Sequence, residues 1–304
     1  MRDGHLVIDA HAHIEIHPRV VFGGRSAEMP THRLIEQMDA CGIDGAVVIA
    51  HAWAGWSIEQ YRSEHDAIAG EIALYPRRLV GACWADPMLG ASAVEELERA
   101  VVTLGYRAVK LHPVYQRFVF DAAIVEPIVE TARQLAIPII AHLDLRVPGC
   151  EPWRMVRLAR KHPDVTFVMA HMGRDVRALQ DLSFAFAARD VPNVVLEGSS
   201  TATDAYGTFQ GPAEVLGYDR VLFAADAGAF HHPAVNLLKL DLLDLDPNTK
   251  AHILGLNALS VFRIDEAEIA RTDDRPRGVY LTAMGEQTYP FPAGAIQSRA
   301  LGGA

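Results

Sequence analysis

Residues 7–14 read VIDAHAHI, an apolar stretch suited to a buried strand, yet it carries Asp9, His11 and His13 at alternate positions. Side chains of a strand alternate between its faces, so these three are expected to point the same way. Other apolar runs also end in groups that could do chemistry. Lys110 and His112 close AVKLHP, His142 and Asp144 close IIAHLD, and His171 closes VMAHMG. Glu197 follows in VVLEGS and Asp226 in FAADAG. Imidazoles and carboxylates buried together are costly unless they pair or ligate a cation. A divalent metal answers that need. Neutral imidazoles with one carboxylate suit zinc first, then manganese, iron or cobalt. Three or four protein ligands leave a position for a water, whose pKa falls from near 15.7 toward about 7 on such an ion.

These residues need elements to bring them together, and a rhythm along the chain provides them. Eight short apolar runs cover residues 6–14, 45–52, 79–87, 106–113, 137–144, 165–173, 193–200 and 221–228. Helix-like stretches lie between them. The one at 31–42 has Thr31 as its cap and Gly42 as its stop, and the one at 57–75 has Ser57 as its cap. The stretch at 91–105 stops at Gly105, and that at 121–136 contains Pro127, which starts or kinks it. Residues 151–163, 173–190, 211–217 and 232–244 complete the set. Nearly continuous apolar strands alternating with helices predict a parallel sheet covered by helices. Eight such units predict a (β/α)8 barrel, with a doubly wound open sheet as the alternative. A further helix is expected at 246–262, which makes residues 1–264 the barrel. Residues 265–304 are expected to form an arm packing on the barrel or on a second subunit, as in a homodimer. In a barrel, the polar ends of the runs meet at the C-terminal rim, where barrel active sites form.

Composition narrows the function. The chain has 304 residues, is 50% hydrophobic and 22% charged, and carries a net charge of −10, which disfavours nucleic acid. Cys41, Cys83 and Cys150 show no disulfide or zinc-ribbon spacing, so a reducing, cytoplasmic setting is expected. No signal-peptide core and no run of 18 apolar residues occurs, so no membrane partner is expected. Dinucleotide, P-loop and serine-hydrolase motifs are absent. The partner left is a small molecule. Lys110 and Arg174 could hold its carboxylate, while Trp53 with Trp56 and His51 forms an aromatic rim after the second run. His112 and His231 also fall on rim loops as candidate substrate contacts. His5, His17, His32, His65, His162 and His252 are read as surface or packing residues.

Taken together, HAH at 11–13, LHP at 111–113, AHLD at 141–144, AHMG at 170–173 and Asp226 resemble the amidohydrolase superfamily. ILGLNALSVF at 253–262 is similar to the closing helix of its amidohydrolase-related branch. The resemblance covers about residues 6–264. It implies that His11, His13, His142 and Asp226 bind the metal, one ion rather than two. It also implies that Asp226 takes a proton from the attacking water, and that His171 polarises substrate, shuttles protons or binds a second ion. Lys110 resembles a lysine that is carboxylated to bridge two metals in some relatives. The sequence departs from the branch at Ala227-Gly228-Ala229-Phe230, a region that shapes the substrate pocket.

Three functions follow. The first is a metal-dependent hydrolase of a small amide, cyclic amide or lactone, favoured because VKLHP resembles hydrolase-like members. The second is a metal-dependent, non-oxidative decarboxylase of a small aromatic or unsaturated carboxylic acid. The third is a barrel that binds metal or ligand without catalysis.

Overall fold

A computed structural model describes residues 4–21, 25–49, 55–173, 182–200, 205–228 and 231–270. Strand β1 (Ile8–His13) leads into an antiparallel pair, β2 (Glu15–Val21) and β3 (Arg25–Met29). The other parallel strands are β4 (Gly45–Ile49), β5 (Leu79–Trp84), β6 (Ala108–Leu111) and β7 (Ile139–His142), then β8 (Phe167–Ala170), β9 (Val194–Glu197) and β10 (Val221–Leu222). They form one eight-stranded sheet in the order β1-β4-β5-β6-β7-β8-β9-β10. Its ends meet: Ala10 N donates to Phe223 O at 3.0 Å, Asp226 N to His11 O at 2.8 Å and His13 N to Ala227 O at 2.7 Å. The fold is the (β/α)8 barrel expected from the eight runs, and the open-sheet alternative falls.

The strands are apolar on both faces because each face meets a core. Ile8, Val47, Ala82, Ile140, Val168 and Leu222 belong to one buried cluster inside the barrel. Val7, Val48, Val109, Ile139, Phe167 and Leu196 belong to a second, packed under the helices. Each buried aliphatic side chain of this kind contributes roughly 1.5–3 kcal/mol. Strand β1 breaks the simple alternation. Its register with β4 shifts between Asp9 and Ala12. Ile8 and Ala10 pack with the interior cluster, whereas Ala12 and Ile14 pack with the outer one. The bulge re-aims the chain, so His11 and His13 turn inward on the side of Ile8 and Ala10. Asp9 does not share their face, contrary to expectation.

Helices α1 (Thr31–Cys41), α2 (Ile58–Ala73), α3 (Ala91–Val102), α4 (Pro113–Gln116), α5 (Glu126–Leu135) and α6 (Pro152–Lys161) wrap the barrel with α7 (Ser183–Ala188), α8 (Gly211–Leu216) and α9 (Ala234–Asp241). Ser57 caps α2 in a reciprocal pair with Gln60, as expected. Thr31 is not a cap: Pro30 holds that position, and the Thr31 hydroxyl donates to Glu71 at 2.5 Å instead. Pro127 starts α5 and does not kink it, because its missing N–H falls in the first turn. The expected closing helix is present as α10 (Pro247–Ala251), a π-helical turn and α11 (Asn257–Phe262). Gly255 is required there, since a Cβ would lie 2.5 Å from Leu6 O. Asn257 Nδ2 ties the helix to β10 by donating to Val221 O at 2.9 Å. Of the expected arm, Ile269 is buried and residues 271–304 lie outside the described residues.

Polar groups at the end opposite the strand termini hold the frame. The Arg220 guanidinium donates to the carbonyls of Val194, Arg189, Ala188 and Val191. Arg78 donates to Asp44 O, Ile43 O and the Asp39 carboxylate.

Candidate metal centre

The bulge in β1 carries His11 and His13 to the mouth of the barrel, where Asp226 lies in the segment that follows β10. Their Nδ1 atoms are both engaged, that of His13 by Ile49 O at 2.7 Å and that of His11 by Glu197 Oε1 at 2.8 Å. A carbonyl and a carboxylate only accept, so each Nδ1 carries the proton and each Nε2 keeps its lone pair. Those Nε2 atoms lie 3.0 Å (His13) and 3.9 Å (His11) from Asp226 Oδ1. Asp226 Oδ1 is buried and accepts no hydrogen bond among the described residues, despite its closeness to His13. Nitrogen and oxygen lone pairs converging in a buried site suit a cation. Ligand atoms of His11, His13 and Asp226 fall within 4.8 Å of one another, which makes them a set able to hold a divalent ion.

Ser200 donates its hydroxyl to the second oxygen, Asp226 Oδ2. Asp9 accepts from His11 N at 3.1 Å and Ala225 N at 2.9 Å, fixing the chain beside both ligand residues. Burial raises the Asp9 carboxyl well above its ordinary value.

The backbone at this rim is unusual. Asp226 (φ 58°), His171 (φ 57°), Met172 (φ 52°) and Ser200 (φ 50°) all sit in the left-handed region at the ends of β8, β9 and β10. Such conformations cost on the order of 1–3 kcal/mol each and gather where function sets geometry. Gly228 completes the turn at φ 111°, and a Cβ there would lie 2.2 Å from His13 O. A glycine after Asp226 is therefore a condition for closing β10 onto β1.

His171 stands next to this set, its ring 5.0 Å from that of His11. Burial pushes its pKa down to about 3 against the pull of Asp226 and Glu197, so the ring is neutral at pH 7. His142 is brought near through His171, ring to ring at 4.8 Å, and is not part of the His11–His13–Asp226 set. His112 lies parallel to His142 at 3.9 Å and parallel to Tyr115 at 3.9 Å. Two rings cannot both lie that close on one face, so Tyr115 and His142 cover opposite faces of His112. The indole of Trp84 is parallel to His112 within 7° at 6.1 Å. Lys110 is buried on β6, paired in register with Trp84 and Ile140. His231 is exposed, and its backbone N donates to Asp226 O at 3.3 Å. Trp53, His51, Arg174 and Phe230 lie outside the described residues.

Sequence reasoning did not find Ser199, Ser200 or Trp84. The serines sit in the small-residue stretch EGSS, which carries no periodic signal, and only their place after a strand end could have flagged them.

The family model described as Amidohydrolase matches residues 8–264. No curated protein matches. Solved structures do. The 5-carboxyvanillate decarboxylase from Sphingomonas paucimobilis is 18% identical over 86% of this chain and 99% of its own, with a TM-score of 0.67. The enzyme of the same name from Novosphingobium aromaticivorans, solved with manganese and a methoxy-hydroxy-nitrobenzoic acid, is 18% identical over 86% of this chain and 98% of its own, with a TM-score of 0.70. The 2,6-dihydroxybenzoate decarboxylase from Rhizobium is 18% identical over 86% of this chain and 99% of its own, with a TM-score of 0.67. At that identity they share the fold. Because that family model spans residues 8–264, most of its length, this chain belongs to the amidohydrolase family.

Proposed function

We propose that the protein is a metal-dependent, non-oxidative decarboxylase of a small aromatic carboxylic acid. The observation that carries the metal is the buried, hydrogen-bond-free Asp226 Oδ1 facing His11 and His13. The choice of reaction rests on the similar solved structures, whose stated activities are decarboxylations of hydroxylated benzoic acids. They displace hydrolysis, the reaction favoured from VKLHP, as the leading reading.

His11, His13 and Asp226 would hold the ion, with His142 as the further ligand. A bound divalent cation supplies a Lewis acid for the substrate's own oxygens. Zinc and manganese both suit this donor set, and the similar structures contain manganese. The reaction breaks the bond between ring carbon and carboxylate. The electron pair stays on the ring carbon and takes a proton, and CO2 leaves, with no change in oxidation balance. Asp226 and the neutral His171 are the groups placed to carry that proton. Lys110 and Arg174 are assigned to the substrate's anionic group, and His112, His231 and Trp53 to its ring. The working unit is assigned as a cytoplasmic homodimer in which the segment after residue 264 is an arm.

Purified protein supplied with manganese or zinc, incubated with 2,6-dihydroxybenzoate and 5-carboxyvanillate, is expected to release CO2. Acid production from a panel of lactones and amides, with no CO2 from either benzoate, would restore hydrolysis.

A further inference from the structure

Glu197 ends β9 fully buried and accepts four hydrogen bonds from the protein. Its Oε1 accepts from His11 Nδ1 at 2.8 Å, Ser199 Oγ at 2.9 Å and His171 N at 3.1 Å. Its Oε2 accepts from Ser199 N at 2.6 Å. His11, His171 and Glu197 also form a compact set with ligand atoms within 4.8 Å of one another. Yet the bonds just described commit this carboxylate to the protein. A hydroxyl has one proton. If Ser199 gives it to Glu197, then Ser199 Oγ, 2.8 Å from His171 Nδ1, can only accept from that nitrogen. Ser199 O lies 3.2 Å from the same Nδ1 and is likewise an acceptor. The order of donation is therefore fixed from end to end: His171 Nδ1–H to Ser199 Oγ–H to Glu197 Oε1, with His11 Nδ1–H arriving from the other side.

We infer that Glu197 and Ser199 form a positioning relay that locks His11 and His171 in the same tautomer, leaving both Nε2 lone pairs to face the cleft. The inference rests on the metal centre proposed above and is independent of which bond is cleaved there. Glu197 is a positioning residue in this account, and it joins a cation ligand on β1 to the imidazole at the end of β8. Orienting carboxylates of this kind typically change metal affinity about 10- to 100-fold when they are altered.

Two readouts test it without turnover. In full-length protein with 15N-labelled histidine, freed of metal, long-range 1H–15N spectra should place the proton of His11 and of His171 on Nδ1. A proton on Nε2 of either ring would overturn the relay. In zinc titrations against a competing chelator, Glu197→Gln should bind about 10- to 100-fold more weakly than the wild type. Ser199→Ala, which keeps the Ser199 O acceptor, should stay within about threefold on the same reasoning. Wild-type zinc affinity in a folded Glu197→Gln protein would overturn the proposal. If that variant does not fold, Glu197→Asp, whose shorter carboxylate retreats from His11, must show the weakening. Protein that passes both tests but releases no CO2 leaves the relay standing and removes only the decarboxylase reading.

Discussion

At the scale of single residues, the account turns on where protons sit. His13 and His11 each have Nδ1 tied to an acceptor, so neither ring can offer Asp226 Oδ1 a proton from Nε2 without losing its tautomer. Asp226 is then both a cation ligand and a candidate proton carrier. Asp226→Asn keeps the size and the Ser200 contact but cannot exchange a proton near neutral pH. Its turnover should fall by about 10²- to 10⁴-fold, while its thermal midpoint remains close to the wild type. Undiminished turnover in steady-state assays would move the proton to another group. Much of this site was legible in the sequence. His11, His13, His171 and Asp226 stand out because a polar residue at the end of an apolar strand is anomalous. The sequence also offered His142 as a ligand, and its ring lies 4.8 Å from that of His171. Ser199 and Ser200 were not legible, because small hydroxyl residues after a strand read as ordinary turn chemistry.

At the scale of elements, a buried network behind the site sets how α2, α3 and β5 meet. His65, read from sequence as a surface or packing residue, is buried and makes the link. Its Nε2 accepts from Trp84 N at 3.0 Å and its Nδ1 donates to Glu96 at 2.7 Å. Glu96 also accepts from Arg99 Nε at 2.8 Å and Arg62 Nε at 3.2 Å. Burial pushes the Glu96 carboxyl up, but the bonds from His65 and Arg99 win and bring it down from 4.5 to about 2. A depressed carboxylate contributes stability above its unfolded pKa. That contribution is therefore complete above about pH 4.5 and is lost as pH falls toward about 2. Glu96→Gln should flatten the fall in stability across that window and cost about 3 kcal/mol at pH 7. Chemical denaturation at several pH values checks this, and a variant with the wild-type pH slope would contradict it. The sequence could not announce this network, because its central links, from His65 and Arg62 to Glu96, join two separate helices across more than 30 residues. The β2–β3 pair was missed for a related reason: its short segments lack the apolar run that marked the barrel strands.

At the scale of the whole molecule, eight buried strands run parallel and put their chemistry at one end. Arg78 and Arg220 hold the other end through backbone carbonyls. This architecture was readable because eight apolar runs alternate with helical stretches and most of those runs close on a polar group. The bulge in β1 was not readable, since it reverses the alternation from which Asp9, His11 and His13 were assigned one face. The central claim is that this rim holds one divalent cation between His11, His13 and Asp226. Crystals of the protein loaded with manganese, measured for anomalous scattering, test it most directly. The account predicts one anomalous peak within coordination distance of His11 Nε2, His13 Nε2 and Asp226 Oδ1, lost in a His11→Ala, His13→Ala double variant. A peak elsewhere, or one that survives that variant, would contradict it.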